Sequence, residues 1–402
     1  MYTPSRAHAE SVATLHGTPA FVTDASTLRA QVRKMRAAFG AETKLFYAVK
    51  ANYNPHIVGV LKEAGIDGID AVSPHEIRLA LELGFTPDQV LYTPSNPSDD
   101  ELRYAGTKGV LQNLGSLSEI RRFCRLFPND RVSVRICPEV GAGEFEQVTT
   151  GNVESKFGIA LSDVDEAKRI CDAAGVAIVG IHCHIGSGFY EASALSQAMV
   201  AVAGIAERFE DALFIDLGGG FGVPYRLEQS EIDIEALAAS ARGTLADFTA
   251  RTGRALTLYL EPGKYLVSAS TVLLSRITTI KEKGGRTFVG LDTGFNHLVR
   301  PAMYGAYHHV VNLSKPEGEA VPVVVAGNLC ETGDVMNRDI ELASPEEGDL
   351  VALLVAGGYG SSMSSTYNMR GTAVEVLIDG DDLRLTKRRQ TYEDLTGLFE
   401  PK

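Results

Sequence analysis

Tryptophan is absent from the 402 residues, and cysteine is scarce: Cys124, Cys137, Cys171, Cys183 and Cys330 are odd in number and share no CxxC spacing. A disulfide framework and a zinc knuckle are thereby excluded, no metal site is expected, and each thiol defaults to a buried small hydrophobe. Positive charge is short as well, with 38 Lys and Arg against 51 Asp and Glu, net −13, and no run of five basic residues. A protein that holds nucleic acid through its phosphates needs a basic surface, so that class is excluded. No apolar run approaches the ~20 residues of a membrane helix. The opening MYTPSRAHAESVATLHG has neither an apolar core nor an Arg-rich face, so the expected location is the cytoplasm, with no membrane partner.

What is present is a repeated alternation. Eight short apolar runs, LFYAV (45–49), IDGIDAV (66–72), QVLYT (89–93), GVLQN (109–113), VSVRI (132–136), IVGIHC (178–183), LFIDL (213–217) and LTLYL (256–260), are separated by longer amphipathic stretches. Several of those stretches end in Gly, where a left-handed helix cap is expected. Eight strand-helix units in this length predict an α/β fold, a (β/α)8 TIM-like barrel over residues 25–265; an open doubly wound sheet is the alternative. Beyond residue 265, runs such as STVLLSRITTI and DLVALLVAG are divided by Gly, Asn, Asp and Pro turns without helical interludes. That texture predicts a second, mostly antiparallel β domain from residues 1–24 and 266–402, with TPAFVTD near the N-terminus supplying one strand.

In such a barrel, chemistry gathers where the strands end. The ends carry Lys50, then Asp70 and Ser73, Arg135, His182 and His184 followed by GSG, the GGGFG loop, and Glu261. Lys50 follows five apolar residues, a setting that depresses an amine's pKa and suits Schiff-base chemistry. Gly218, Gly219 and Gly220 let backbone amides approach an anion, and Ser187 adds a hydroxyl donor. A phosphate is the natural guest; the run does not match GxGxxG, because residue 223 is Val. Glu261 opens a Pro-Gly turn and suits a protonated ring nitrogen, while His184 offers a flat surface or is a satisfied core histidine. Together these residue types describe a pyridoxal 5′-phosphate site.

The chain resembles the fold-type III pyridoxal-phosphate decarboxylases, most closely their diaminopimelate-specific branch, over nearly its whole length. The likeness rests on FYAVKAN (46–52), SKFGI (155–159), HCHIGSG (182–188), GGGFGVPY (218–225), EPGKYLV (261–267), FNHLVRPAMYGAYH (295–308), CETGD (330–334) and GGYGSSMSSTYN (357–368). It implies Lys50 as the Schiff-base lysine and His184 stacked on the cofactor ring. Ser187, Gly218 to Gly220, Gly263 and Tyr367 would contact the cofactor, and Glu261 would pair with its ring nitrogen. Arg300, Tyr304, Lys264, Glu331 and Tyr367 would bind an amino-acid substrate, with Cys330 as general acid. The Cys330–Glu331 pair implies a homodimer with shared sites. The EPGK motif stands where EPGR is the commoner pattern. The expected reaction is decarboxylation of meso-2,6-diaminopimelate to L-lysine; decarboxylation of ornithine or lysine, and amino-acid racemisation, are the alternatives.

Overall fold

All eight predicted runs form strands of one closed barrel in a computed structural model, which describes residues 1–139, 144 and 155–400. After β1 (Ala20–Asp24), the barrel strands are β2 (Lys44–Ala48), β3 (Gly68–Ala71), β4 (Val90–Tyr92), β5 (Leu111–Leu114), β6 (Arg131–Arg135), β7 (Ala177–His182), β8 (Phe214–Asp216) and β9 (Thr257–Leu260). Each pairs in parallel with the next, and β2 pairs with β9 to close the ring. Parallel strands covered on both faces need apolar residues throughout, which is why these runs do not alternate with polar residues. Helices between them begin at side-chain caps: Ser73, Ser98, Ser116 and Asp233 each accept the amide three residues on. The expected glycine caps occur at Gly65 and Gly253, both with positive φ.

Stacked rings fill the barrel nearer the strands' N-terminal ends. Tyr259 lies 4.9 Å from Phe46 and 4.1 Å from Phe214 between centroids. Gly68 and Gly180 make room for them, since a Cβ at Gly180 would fall 2.1 Å from the Phe214 ring. With that end occupied by rings, the polar residues are left at the other.

The chain divides into two compact units, Gln31–Val223 with Glu231–Tyr265, and Met1–Ala30 with Pro224–Ser230 and Leu266–Lys402. The second is built on β1 and on β10 (Thr271–Lys283), β11 (Arg286–Leu291), β12 (Val310–Asn312), β13 (Ala320–Ala326), β14 (Val335–Ala343), β15 (Leu350–Leu353), β16 (Val374–Asp379) and β17 (Asp382–Lys387). Its order is β14-β13-β11-β10-β1-β16-β17, with β15 on β10 and β12 on β15. Most pairs are antiparallel; β1 with β16 and β11 with β13 are parallel. The TPAFVTD run thus sits inside this sheet, between strands some 250 and 350 residues later in the chain. Phe21, Leu273, Ile277, Val289, Val325, Val351 and Leu353 belong to its core. Among the described residues no helix is long and apolar enough to cross a membrane.

Candidate active site

The barrel unit brings most of the predicted residues to one end. Lys50 sits in the 3-10 turn Val49–Ala51 directly after β2, and its Nζ lies 3.1 Å from Asp70 Oδ2. Beyond the apolar run that precedes it, the lysine ends against a fully buried carboxylate at the end of β3. Burial raises the Asp70 carboxyl above its ordinary value; Glu261 adds to this and Lys50 opposes it. Gly263 explains how the strand-9 turn comes so near: a Cβ there would meet Ala48 Cβ and Ala51 Cβ at 3.2 Å. Pro262 O accepts the Ala48 amide across the same approach.

His182 ends β7, fully buried, with Nε2 3.3 Å from Glu261 Oε2. Burial, then the nearby Arg135 charge, holds its pKa well below the usual histidine value, so the ring is neutral. His184 is held down likewise by burial, Arg135 and Lys50. Its Nδ1 accepts the Gly219 amide at 3.3 Å, which places the ring proton on Nε2. Arg135, at the end of β6, is buried, with its guanidinium 4.5 Å from the Phe157 ring centroid.

The two glycine turns are laced together. Gly220 O accepts the amides of Gly188 and Phe189 at 2.8 and 3.2 Å. Gly188, Gly218 and Gly220 have φ of 82°, 65° and 98°, conformations that glycine adopts without strain. A Cβ on Gly218 would fall 2.5 Å from His184 Nδ1, and one on Gly219 2.2 Å from Glu261 O. The Gly218 amide is bound to Asp216 Oδ1 and the Gly219 amide to His184, so these two shape the turn. Lys264, predicted at the substrate, is buried beside the HIGSG turn: its Nζ lies 3.4 Å from Glu144 Oε2, and a Cβ on Gly188 would come within 3.3 Å of that Nζ. Ser187 O accepts the Glu144 amide at 2.8 Å.

Glu261 is 4% exposed, and its Oε1 has no hydrogen-bond partner among the described residues. Burial raises its pKa, while Lys50 and Arg135 pull it back toward ionisation. Asp216, which sequence reasoning missed, ends β8 in the same cluster: one nitrogen or oxygen atom each from His182, Asp216 and Glu261 lie within 4.8 Å of one another. Its signal was available, since it too is a strand-end carboxylate, two residues before Gly218.

The sheet unit carries the other predicted residues. Arg300, 2% exposed, stacks its guanidinium 4.4 Å from the Tyr225 ring centroid and meets His308 Nε2 at 3.2 Å. His308 is oriented in turn, because its Nδ1–H donates to Leu354 O at 2.9 Å; Nε2 is therefore the acceptor for Arg300. Tyr304 lies one helical turn on, in Arg300–Tyr304, partly exposed. Cys330 is exposed, unlike the four other cysteines, and its amide donates to Asn368 Oδ1 at 3.0 Å. That bond ties CETGD to the segment bearing Tyr367, which is 44% exposed and stacks on Phe295 at 5.6 Å. Glu331 is exposed beside Cys330, accepting the Gly333 amide. Tyr225 and His308 close two of the quoted motifs, but their part in holding Arg300 was not read from them, because it depends on where Arg300 lies.

A lysine, two neutral histidines, a buried glutamate and two interlocked glycine turns at one end of a parallel barrel define a pyridoxal-dependent enzyme of the barrel-plus-sheet class. Residues 25–268 match the family model for the pyridoxal-dependent decarboxylase pyridoxal binding domain, and residues 264–357 match that for its C-terminal sheet domain. The chain is 42% identical over 400 residues to the diaminopimelate decarboxylase of Methanothermobacter thermautotrophicus, covering 97% of this chain and 93% of that one. It is 35% identical over 398 residues to the Escherichia coli K12 enzyme of that name, covering 95% and 94%. The structure of diaminopimelate decarboxylase from Helicobacter pylori complexed with L-lysine superposes with a TM-score of 0.90 at 30% identity, covering 97% and 98%. The chain therefore belongs to the diaminopimelate decarboxylase family of pyridoxal-dependent decarboxylases.

Proposed function

We propose that this protein decarboxylates meso-2,6-diaminopimelate to L-lysine and carbon dioxide, with pyridoxal 5′-phosphate as cofactor. The observation that carries the reading is the barrel end, where a strand-end lysine, a neutral imidazole and an incompletely bonded buried carboxylate converge. The residues fit the cofactor. Glu261 Oε1 is an acceptor without a partner among the described residues and suits a ring N–H, and the glycine turns pack too closely on His184, Glu261 and Gly186 to admit a Cβ. When bound, pyridoxal phosphate supplies the electron sink that lets an α-carboxylate leave as carbon dioxide.

Lys50 would hold the cofactor through its amine, and His184, fixed by Gly219, would lie against its ring. Glu261, whose pKa burial raises and Lys50 and Arg135 pull back toward ionisation, would accept the ring N–H. The phosphate would be met by Ser187, Gly220 and Lys264, with Tyr367 as a further donor. We thus move Lys264 from the substrate to the phosphate, since it is buried against the HIGSG turn. A lysine serves there as a point charge where a bidentate arginine grip is not needed.

In the sheet unit, Arg300 is the cation suited to the substrate's distal carboxylate, and His308 holds the guanidinium in place. Tyr304 and Glu331 would complete that grip. In the homodimer we propose, Cys330 and Glu331 of one subunit complete the other's site, with the Cys330 thiol returning a proton to the carbon that lost its carboxylate. The exposure of Cys330, Glu331, Tyr367 and Met369 in the single chain supports this. Five free thiols suit a reducing cytoplasm. Carbon dioxide release should be measured over diaminopimelate, ornithine, lysine and arginine. Diaminopimelate should turn over fastest, and faster turnover of ornithine would refute the reading.

A further inference from the structure

Three carboxylates meet at the barrel end, and among the described residues only two have a cation. Asp70 has Lys50 at 3.1 Å. Glu261 is drawn toward ionisation by both Lys50 and Arg135. Asp216 is fully buried; the carboxylates acting on it are Glu261 and Asp70, the Cys183 thiol, the Tyr259 phenol and His182 lie near it, and among the described residues the one donor on it is the Gly218 amide at 2.8 Å on Oδ1. Its Oδ2 has no hydrogen-bond partner among the described residues, and neither has Glu261 Oε1. Two ionised carboxylates offer only acceptors, so neither can satisfy the other until one carries a proton.

Other titratable groups there do not supply the missing charge. His182 and His184 are neutral, and burial keeps the Cys183 thiol protonated. Glu76 is partly buried and occupied with the Val72 amide at 2.6 Å. Asp70, Asp216 and Glu261 against Lys50 and Arg135 leave one negative charge in excess, and an uncompensated charge is costly in a buried site.

We propose that Asp216 is a positioning residue: it holds the spare proton as a neutral acid and donates it in a hydrogen bond to Glu261. The proposal rests on the reading of Glu261 as the ring-nitrogen partner and adds to it. A carboxylate has about four acceptor sites; the His182 Nε2–H and the Asp216 O–H fill two and leave acceptor capacity for the cofactor. Because Oδ1 holds the Gly218 amide, one side chain fixes both the ring-nitrogen partner and the start of the glycine turn.

Asn in place of Asp reproduces this arrangement, accepting from Gly218 and donating N–H to Glu261, whereas Leu keeps the bulk and removes both bonds. The full-length protein without cofactor should show an infrared band of a neutral carboxylic acid at neutral pH, lost in Asp216→Asn. Asp216→Asn should keep the wild-type pH profile of the bound-cofactor absorbance and bind pyridoxal phosphate within about threefold of wild type. Asp216→Leu should bind about tenfold or more weakly, as expected for losing a hydrogen bond to a charged group. Absence of the acid band, or Asp216→Asn impaired as much as Asp216→Leu, would overturn the proposal. Glu261→Gln separates the two readings: an unaltered cofactor spectrum in that variant overturns the role of Glu261, whereas a missing acid band overturns that of Asp216 alone.

Discussion

Replacing Gly220 by Ala tests whether the interlocked glycine turns are required by packing. The residue has φ of 98°, and a Cβ there would fall 2.1 Å from Gly186 O and 2.5 Å from the Phe189 ring. Both are closer by about 1 Å or more than non-bonded contact allows, and the carbonyl belongs to backbone that cannot rotate away. Left-handed backbone costs an L-residue about 1–2 kcal/mol, and overpacking adds about 1–3 kcal/mol. Taking about 3 kcal/mol with a urea m-value of about 3 kcal/mol/M, the unfolding midpoint falls by about 1 M. With no tryptophan in the chain, tyrosine fluorescence and far-ultraviolet dichroism are the probes. Gly204→Ala is the control, since Gly204 lies in the helix Ala192–Ala206 with nothing within 4 Å of the new Cβ; it should stabilise by up to about 1 kcal/mol. Gly220→Ala should also weaken pyridoxal phosphate binding, because Gly220 O holds the Gly188 and Phe189 amides. An unchanged midpoint for Gly220→Ala, or an equal fall for Gly204→Ala, would refute the steric argument.

Buried His182 makes stability pH-dependent. Its folded pKa lies well below the ordinary value, so below about pH 6.5 the unfolded chain binds a proton that the folded chain does not. Stability is thus lost as pH falls, by about 1.4 kcal/mol per unit for this one group, and His182→Gln should flatten urea midpoints between pH 6.5 and 5 by that slope. Asp334 accepts the Phe295 and Leu329 amides at 2.7 and 2.8 Å. Asp334→Ala strands both donors and should cost about 2–5 kcal/mol by urea titration, while Asp334→Asn, which keeps one acceptor, should cost less. If sites are shared across a two-fold dimer, mixing inactive Lys50→Ala with inactive Cys330→Ala should restore about a quarter of wild-type activity on subunit exchange; no recovery would count against sharing.

Much of this was legible in the order of residues. The eight runs that became β2 to β9 could be read because a parallel barrel strand is buried on both faces, and continuous apolarity is a local property. Lys50, His184 and Glu261 could be read because a barrel places its chemistry where strands stop, a position visible in one dimension. The scarcity of cysteine and of positive charge, with its exclusions, needed no coordinates at all.

Only the tertiary structure decided what each side chain faces. It set Lys50 against Asp70, put Lys264 beside the HIGSG turn, and showed that the Gly218 and Gly219 amides already have partners. Asp216 and His308 gained a role from neighbours 45 and 46 residues away in the chain, Glu261 and Leu354. The physical reason is that hydrogen bonding and charge balance act through distances in space. Local pattern specifies which elements form and where they end, whereas the protonation state and orientation of a buried group depend on whatever the closed barrel or folded sheet brings beside it.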